Sequence, residues 1–177
     1  KAPTCERVNY SVEMDARWNT TTGYAYGLLF GLADDFSEYY MFAVNSDNQA
    51  YSLYYRGPDG IQTLLDWSFS SMIHPAATNK LKVTRAGSEI ILEINGVWVD
   101  SYTETHITGF TKVGLFNIPY SDLPNADARY DNFTVRLLPG TTTQPEAVMN
   151  QSTAGLSWVR QTIDFERLEG VSLPTGK

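Results

Sequence analysis

Glu89 and Glu93 are the residues whose spacing first suggests catalysis. They flank Ile90-Ile91-Leu92 in a run read as a strand, and a two-residue period puts both carboxylates on one face. A pair of carboxylates on one face could act as acid and nucleophile at a glycosidic bond. At the extended rise per residue, however, their Cα atoms stand roughly 13 Å apart, so the side chains would have to converge strongly. Solvated strand-face acids are the simpler reading. His74 and His106 fall in different loops with no carboxylate or thiolate at ligand spacing, which argues against a histidine metal centre. Cys5 is the only cysteine, which excludes an internal disulfide or a thiolate cluster. Gly27-x-x-x-Gly31 lies within a strand pattern and is no phosphate loop, and neither a nucleophile elbow nor a dinucleotide motif occurs. The expectation is a protein that is not an enzyme.

Recognition chemistry is better supplied. Sugars are bound by flat aromatic faces that cover their C–H surfaces, with a few fixed polar groups for the hydroxyls. Tyr39, Tyr54, Arg56 and Trp98 lie off the core parity of their strands, and are the candidate ligand-binding residues. The bland alternative is that they cover an outer pleat or a subunit contact.

These residues must be held by strands. Val8, Tyr10, Val12, Met14, Ala16 and Trp18 alternate with Asn9, Ser11, Glu13, Asp15 and Arg17, the signature of a half-buried strand. From Tyr24 to Leu32, large residues at Tyr24, Tyr26, Leu28, Phe30 and Leu32 alternate with Ala25, Gly27 and Gly31 among others, predicting one bulky face and one thin face that another element can approach closely. Ser46-Asp47-Asn48 joins Glu38–Asn45 to Gln49–Arg56, so that Tyr40, Phe42 and Val44 should face the core opposite Tyr51, Leu53 and Tyr55. Gly57-Pro58-Asp59-Gly60 turns into Ile61–Trp67, and Ser68–Thr78 reads as a loop. Lys80–Arg85, Glu89–Ile94 and, after the hairpin signal Asn95-Gly96, Val97–Tyr102 follow. Lys112–Ile118 and Ala128–Leu138 complete about ten short strands with no sustained helical period, which predicts an all-β sandwich or barrel.

The 177 residues, 42% of them hydrophobic and 13% aromatic, suffice for one sizeable core. A formal net charge of −7 without a Lys/Arg run excludes nucleic acid as an expected partner. No stretch reaches the roughly 20 apolar residues that span a bilayer, so membrane insertion is not expected. The start at Lys1 suggests a mature or trimmed product. Sequons at Asn19, Asn132 and Asn150 would matter only where secreted proteins are glycosylated. At Pro139 the chain changes character. The expected organisation is a sandwich over residues 1–138, then a Thr/Pro linker and tail over 139–177, whose apolar segment at 156–165 either docks on its own domain or pairs with a neighbour.

The ordered series Tyr26-Gly27-Leu28-Leu29-Phe30, Tyr39-Tyr40-Met41-Phe42, Trp67-x-x-Ser70, Asn79-x-Leu81-x-Val83, Ile94-Asn95-Gly96, Val113-Gly114-Leu115 and Tyr130-Asp131-Asn132-Phe133-x-Val135 resembles the concanavalin A-like lectin/glucanase superfamily, and within it the laminin-G-like jelly-roll modules of bacterial surface proteins. The resemblance implies a two-sheet antiparallel jelly-roll sandwich, secreted or at the cell surface, that binds glycan or another surface ligand in adhesion. Hydrolases of this fold carry Glu-x-Asp-x-Glu on one strand, and here Ile91 holds the middle position. Sandwiches of this kind often tie their last strand to their first with calcium, for which Asp131 is the candidate ligand; no other cofactor is implied. A subunit of a surface filament, sheath or layer, self-associating through the tail, is the alternative function, and a glycoside hydrolase the third.

Overall fold

Alternation builds the first strand as expected. β1 (Tyr10–Trp18) buries Tyr10, Val12, Met14 and Ala16 and leaves Glu13, Asp15 and Arg17 on the other face. The computed structural model describes residues 9–19, 24–33, 35–103, 105–106, 112–118, 127–139, 147–149 and 171–172. The strands that follow are β2 (Ala25–Leu32), β3 (Tyr39–Asn45), β4 (Ala50–Gly57), β5 (Gly60–Phe69), β6 (Asn79–Ala86), β7 (Glu89–Ile94), β8 (Val97–Thr103), β9 (Lys112–Ile118), β10 (Ala128–Leu137), β11 (Ala147–Met149) and β12 (Val171–Ser172).

They form two sheets. The first has the order β12-β10-β1-β6-β7-β8, and the second β11-β9-β2-β3-β4-β5. Neighbours are antiparallel, except that β11 runs parallel to β9. The fold is the expected all-β two-sheet sandwich with a C-terminal extension. The apolar tail segment at 156–165 lies outside the described residues.

Between the sheets lies one core of Val12, Leu28, Phe30, Phe42, Leu53, Leu81, Val83, Ile90, Leu92 and their neighbours. Each such side chain contributes about 1.5–3 kcal/mol on burial. Val44, Phe42 and Tyr40 stand opposite Tyr51, Leu53 and Tyr55, as the hairpin predicts. The Asn95-Gly96 turn has φ of 52° and 80°, the left-handed pair that this tight hairpin requires.

The core is rich in tyrosine, whose hydroxyl must find a partner when buried. Here the hydroxyls join the two sheets. Tyr10 of β1 accepts from the Gly31 amide of β2 at 3.2 Å, and Tyr26 of β2 accepts from Asn79 of β6 at 3.0 Å. Tyr51 of β4 donates to the Val99 carbonyl of β8 at 3.1 Å, and Tyr130 of β10 to the Phe116 carbonyl of β9 at 2.6 Å.

Two irregularities change which residues face out. Gly31 has φ 62°, and the β2–β9 register shifts between Leu29 and Leu32. Leu32 therefore packs on the outer face of the second sheet with Leu29 and Ala25, rather than continuing the bulky inner face. Tyr24 precedes β2, so its alternation is broken too. In β10, Asn132 has φ 52° where the β1 pairing shifts between Glu13 and Asp15. This bulge keeps Phe133, Val135 and Tyr130 against the core and turns Asp131 and Arg129 outward.

Candidate functional site

Gly27 sets the floor of the outer face of the second sheet. It pairs with Ala43 on one side and Phe116 on the other. A Cβ there would run into the Phe42 carbonyl oxygen and come within 2.8 Å of the Phe116 ring, so the thin strand lets an aromatic ring lie across it, as the alternation predicted. Ala43, Leu29 and Phe116 complete a buried floor.

On this floor stand three of the four sequence candidates. Tyr39 faces Arg56 directly across β3 and β4, and Tyr54 lies between Met41 and Thr63 on the neighbouring strands. Tyr39 is only 8% exposed, whereas Tyr54 is half-buried and Arg56 exposed. Burial raises the Tyr39 hydroxyl pKa, and the Arg56 guanidinium offsets part of that rise. Burial also raises the Tyr54 hydroxyl, so both are neutral donors and acceptors at physiological pH.

Two aromatic residues join them that the strand parity did not single out. The Trp67 ring of β5 meets Tyr54 edge-on at 6.3 Å and Tyr24 at 5.7 Å. Tyr24 is 39% exposed and Trp67 half-buried. The three rings form a wall, with Arg56 and Thr63 beside it. Such a surface offers apolar faces next to donors and acceptors that do not titrate near neutrality, suited to stacking a neutral polyhydroxylated ring.

Trp98 is elsewhere. It lies on β8, 61% exposed, opposite Glu93 on the outer face of the first sheet. Glu93 itself is held by Lys82 at 2.6 Å, and Glu89 faces Thr103. The two acids therefore sit on open strand surface, one of them ion-paired. The histidines separate as well. The His74 backbone is bound by Asn79, while the His106 ring stacks on Tyr55 at 4.1 Å, 3.4 Å from the Tyr40 hydroxyl.

Asp131 faces Asp15 across β1 and β10, and one of its oxygens accepts the Asn132 amide at 2.8 Å. Asp15 is engaged by Asn132 at 2.7 Å and lies 3.8 Å from Lys80. Among the described residues no group of three His, Cys, Asp or Glu side chains is placed to hold a metal ion. No helix among the described residues is long and apolar enough to cross a membrane.

No family model and no curated protein matches this sequence. Solved structures do resemble the fold. The carbohydrate-binding module CBM66 from Bacillus subtilis superposes with a TM-score of 0.58 at 16% identity, over 73% of this chain and 76% of that one. Sheep galectin-11, in complex with glycerol, gives 0.56 at 12% identity over 75% and 91%. The GH43 protein BlXynB from Bacillus licheniformis, a K247S mutant, gives 0.55 at 13% identity, and there 75% of this chain matches only 28% of the other. The chain thus shares the jelly-roll sandwich of carbohydrate-binding modules and galectins.

Proposed function

We propose that this chain is an extracellular, non-catalytic module that binds neutral glycan through the outer face of its second sheet. The observation that carries this reading is the Tyr24, Trp67 and Tyr54 wall with the exposed Arg56 beside it. Trp67 and Tyr54 stack on sugar rings, Arg56 hydrogen-bonds hydroxyls, and Tyr39 holds Arg56 from below. The resemblance to a carbohydrate-binding module and a galectin supports the fold side of the reading alone.

Calorimetric titration with a panel of neutral oligosaccharides, with and without Ca²⁺, tests it. At least one should bind the wild type. Trp67→Ala should weaken that binding about tenfold or more, as expected on truncating a large aromatic anchor, on the order of 2 kcal/mol. Binding equally strong in Trp67→Ala and Tyr54→Ala would contradict the assignment.

A further inference from the structure

The outer face of the first sheet carries a groove that the aromatic wall does not share. It encloses about 390 Å³ and is lined by Asp15, Arg17, Thr78, Arg129, Tyr130 and Asp131, a volume in the range of small-molecule sites. Its charges are arranged in an unusual way. Arg17 faces Arg129 directly across β1 and β10, and Asp15 faces Asp131 in the same pairing. Directly opposed residues have Cβ atoms about 4.5–5.5 Å apart, and like charges at that separation destabilise the pairing. An antiparallel sheet selected for stability alone would oppose Arg to Asp.

Two of the nearby carboxylates are otherwise engaged. Asp15 accepts from Asn132 and lies 3.8 Å from Lys80, while Asp127, two residues before Arg129, accepts from Asn19 at 2.6 Å. Among the described residues neither Arg17 nor Arg129 forms an ion pair. The arrangement also depends on a specific backbone device. Val135 and Phe133 face the core, so unbroken alternation would bury Asp131 and Arg129; the left-handed Asn132 reverses the parity and brings both out beside Arg17. Bulges of this kind recur where a side chain has to be re-aimed at a site.

We propose that this groove is a second binding site, for a short saccharide bearing an oxyanion, carboxylate or sulfate. The paired guanidiniums grip the oxyanion through charge-assisted hydrogen bonds. Asp131 and Thr78 accept from or donate to the ring hydroxyls. An acidic peptide fits less well. The groove offers no large apolar side chain as an anchor except Tyr130, whose ring packs into the core. The net charge of −7 disfavours long polyanions and leaves a short, locally held one. The site lies on the opposite outer face from the aromatic wall and does not depend on it.

Calorimetry of the full chain with trigalacturonic acid, a sulfated disaccharide, neutral maltotriose, hexaglutamate and sodium sulfate tests the assignment. Trigalacturonic acid or the sulfated disaccharide should bind, the stronger of them naming the oxyanion. Arg17→Ala and Arg129→Ala should each weaken that binding at least about tenfold, the usual worth of a hydrogen bond to a charged group, while melting no lower than the wild type, because each relieves the like-charge pairing. Lys82→Ala removes the same charge from the same face and should leave binding intact, as should Trp67→Ala. The proposal is overturned by no binding of either acidic saccharide, by equal losses in Lys82→Ala, or by hexaglutamate or sodium sulfate binding as tightly as the saccharide.

Discussion

Asn79 shows how a single residue can hold a loop and a sheet junction together. Fully buried, it donates to Tyr26 at 3.0 Å and to the His74 carbonyl at 2.9 Å. Its oxygen accepts the His74 amide at 2.7 Å and the Asn95 side chain at 2.9 Å. Asn95 in turn binds the Met72 carbonyl at 2.6 Å and the Lys80 amide at 2.8 Å. The loop after β5 thus folds over the core through Ile73 because three amide side chains, those of Asn79, Asn95 and Gln49, the last donating to the Ile73 carbonyl at 2.8 Å, replace its missing ladder bonds. Asn79→Leu keeps the size and removes every partner. It should destabilise the fold by about 3 kcal/mol, as expected for several buried groups left unpaired at once. Urea unfolding measures this; a loss under about 1 kcal/mol would show that the network is dispensable.

At the scale of elements, the bulges decide what reaches the surface. Alternation makes β1, the β3–β4 hairpin and the Asn95-Gly96 turn legible from the residues alone, because each is a local pattern. Alternation carried through Gly31 and Asn132 misplaces what lies beyond, since a left-handed residue in a strand reverses parity without altering the composition around it. For that reason Leu32 leaves the bulky face that the sequence pattern gives it, and no spacing singles out Arg129. Parity also tells a face within a strand but not which sheet the strand joins, so Trp98 was grouped with Tyr39, Tyr54 and Arg56 although it stands on the other sheet. Trp67 and Tyr24 come together only in the tertiary fold, and no sequence spacing announces the contact. The bulge itself is testable. Asn132→Gly should leave stability nearly unchanged, whereas Asn132→Val should cost about 1–3 kcal/mol for a β-branched residue held at positive φ. Equal stabilities of the two variants would mean that the left-handed backbone at Asn132 carries no strain.

For the molecule as a whole, buried and half-buried tyrosines make the fold sensitive to alkali. Burial raises the hydroxyl pKa of Tyr26, Tyr39, Tyr51, Tyr54 and, furthest, Tyr130. The unfolded chain gives up these protons at about pH 10 while the folded chain retains them. The unfolded state then binds fewer protons, so stability falls as pH rises. Their contribution is whole below about pH 10 and is lost as pH climbs through the folded values. The urea midpoint should therefore hold steady to about pH 9.5 and decline above it, with a shallower decline in Tyr130→Phe. A midpoint that stays level to about pH 11 would contradict this account.

The sandwich presents two different outer faces, one aromatic and one charged, and the proposed glycan site is the aromatic one. Its most direct test is an amide chemical-shift map of the labelled protein during titration with the tightest neutral oligosaccharide. Perturbations are expected at Tyr24, Tyr54, Arg56 and the Trp67 indole, and none along β7 and β8. Perturbations confined to the first sheet, around Trp98 or Arg17, would contradict it.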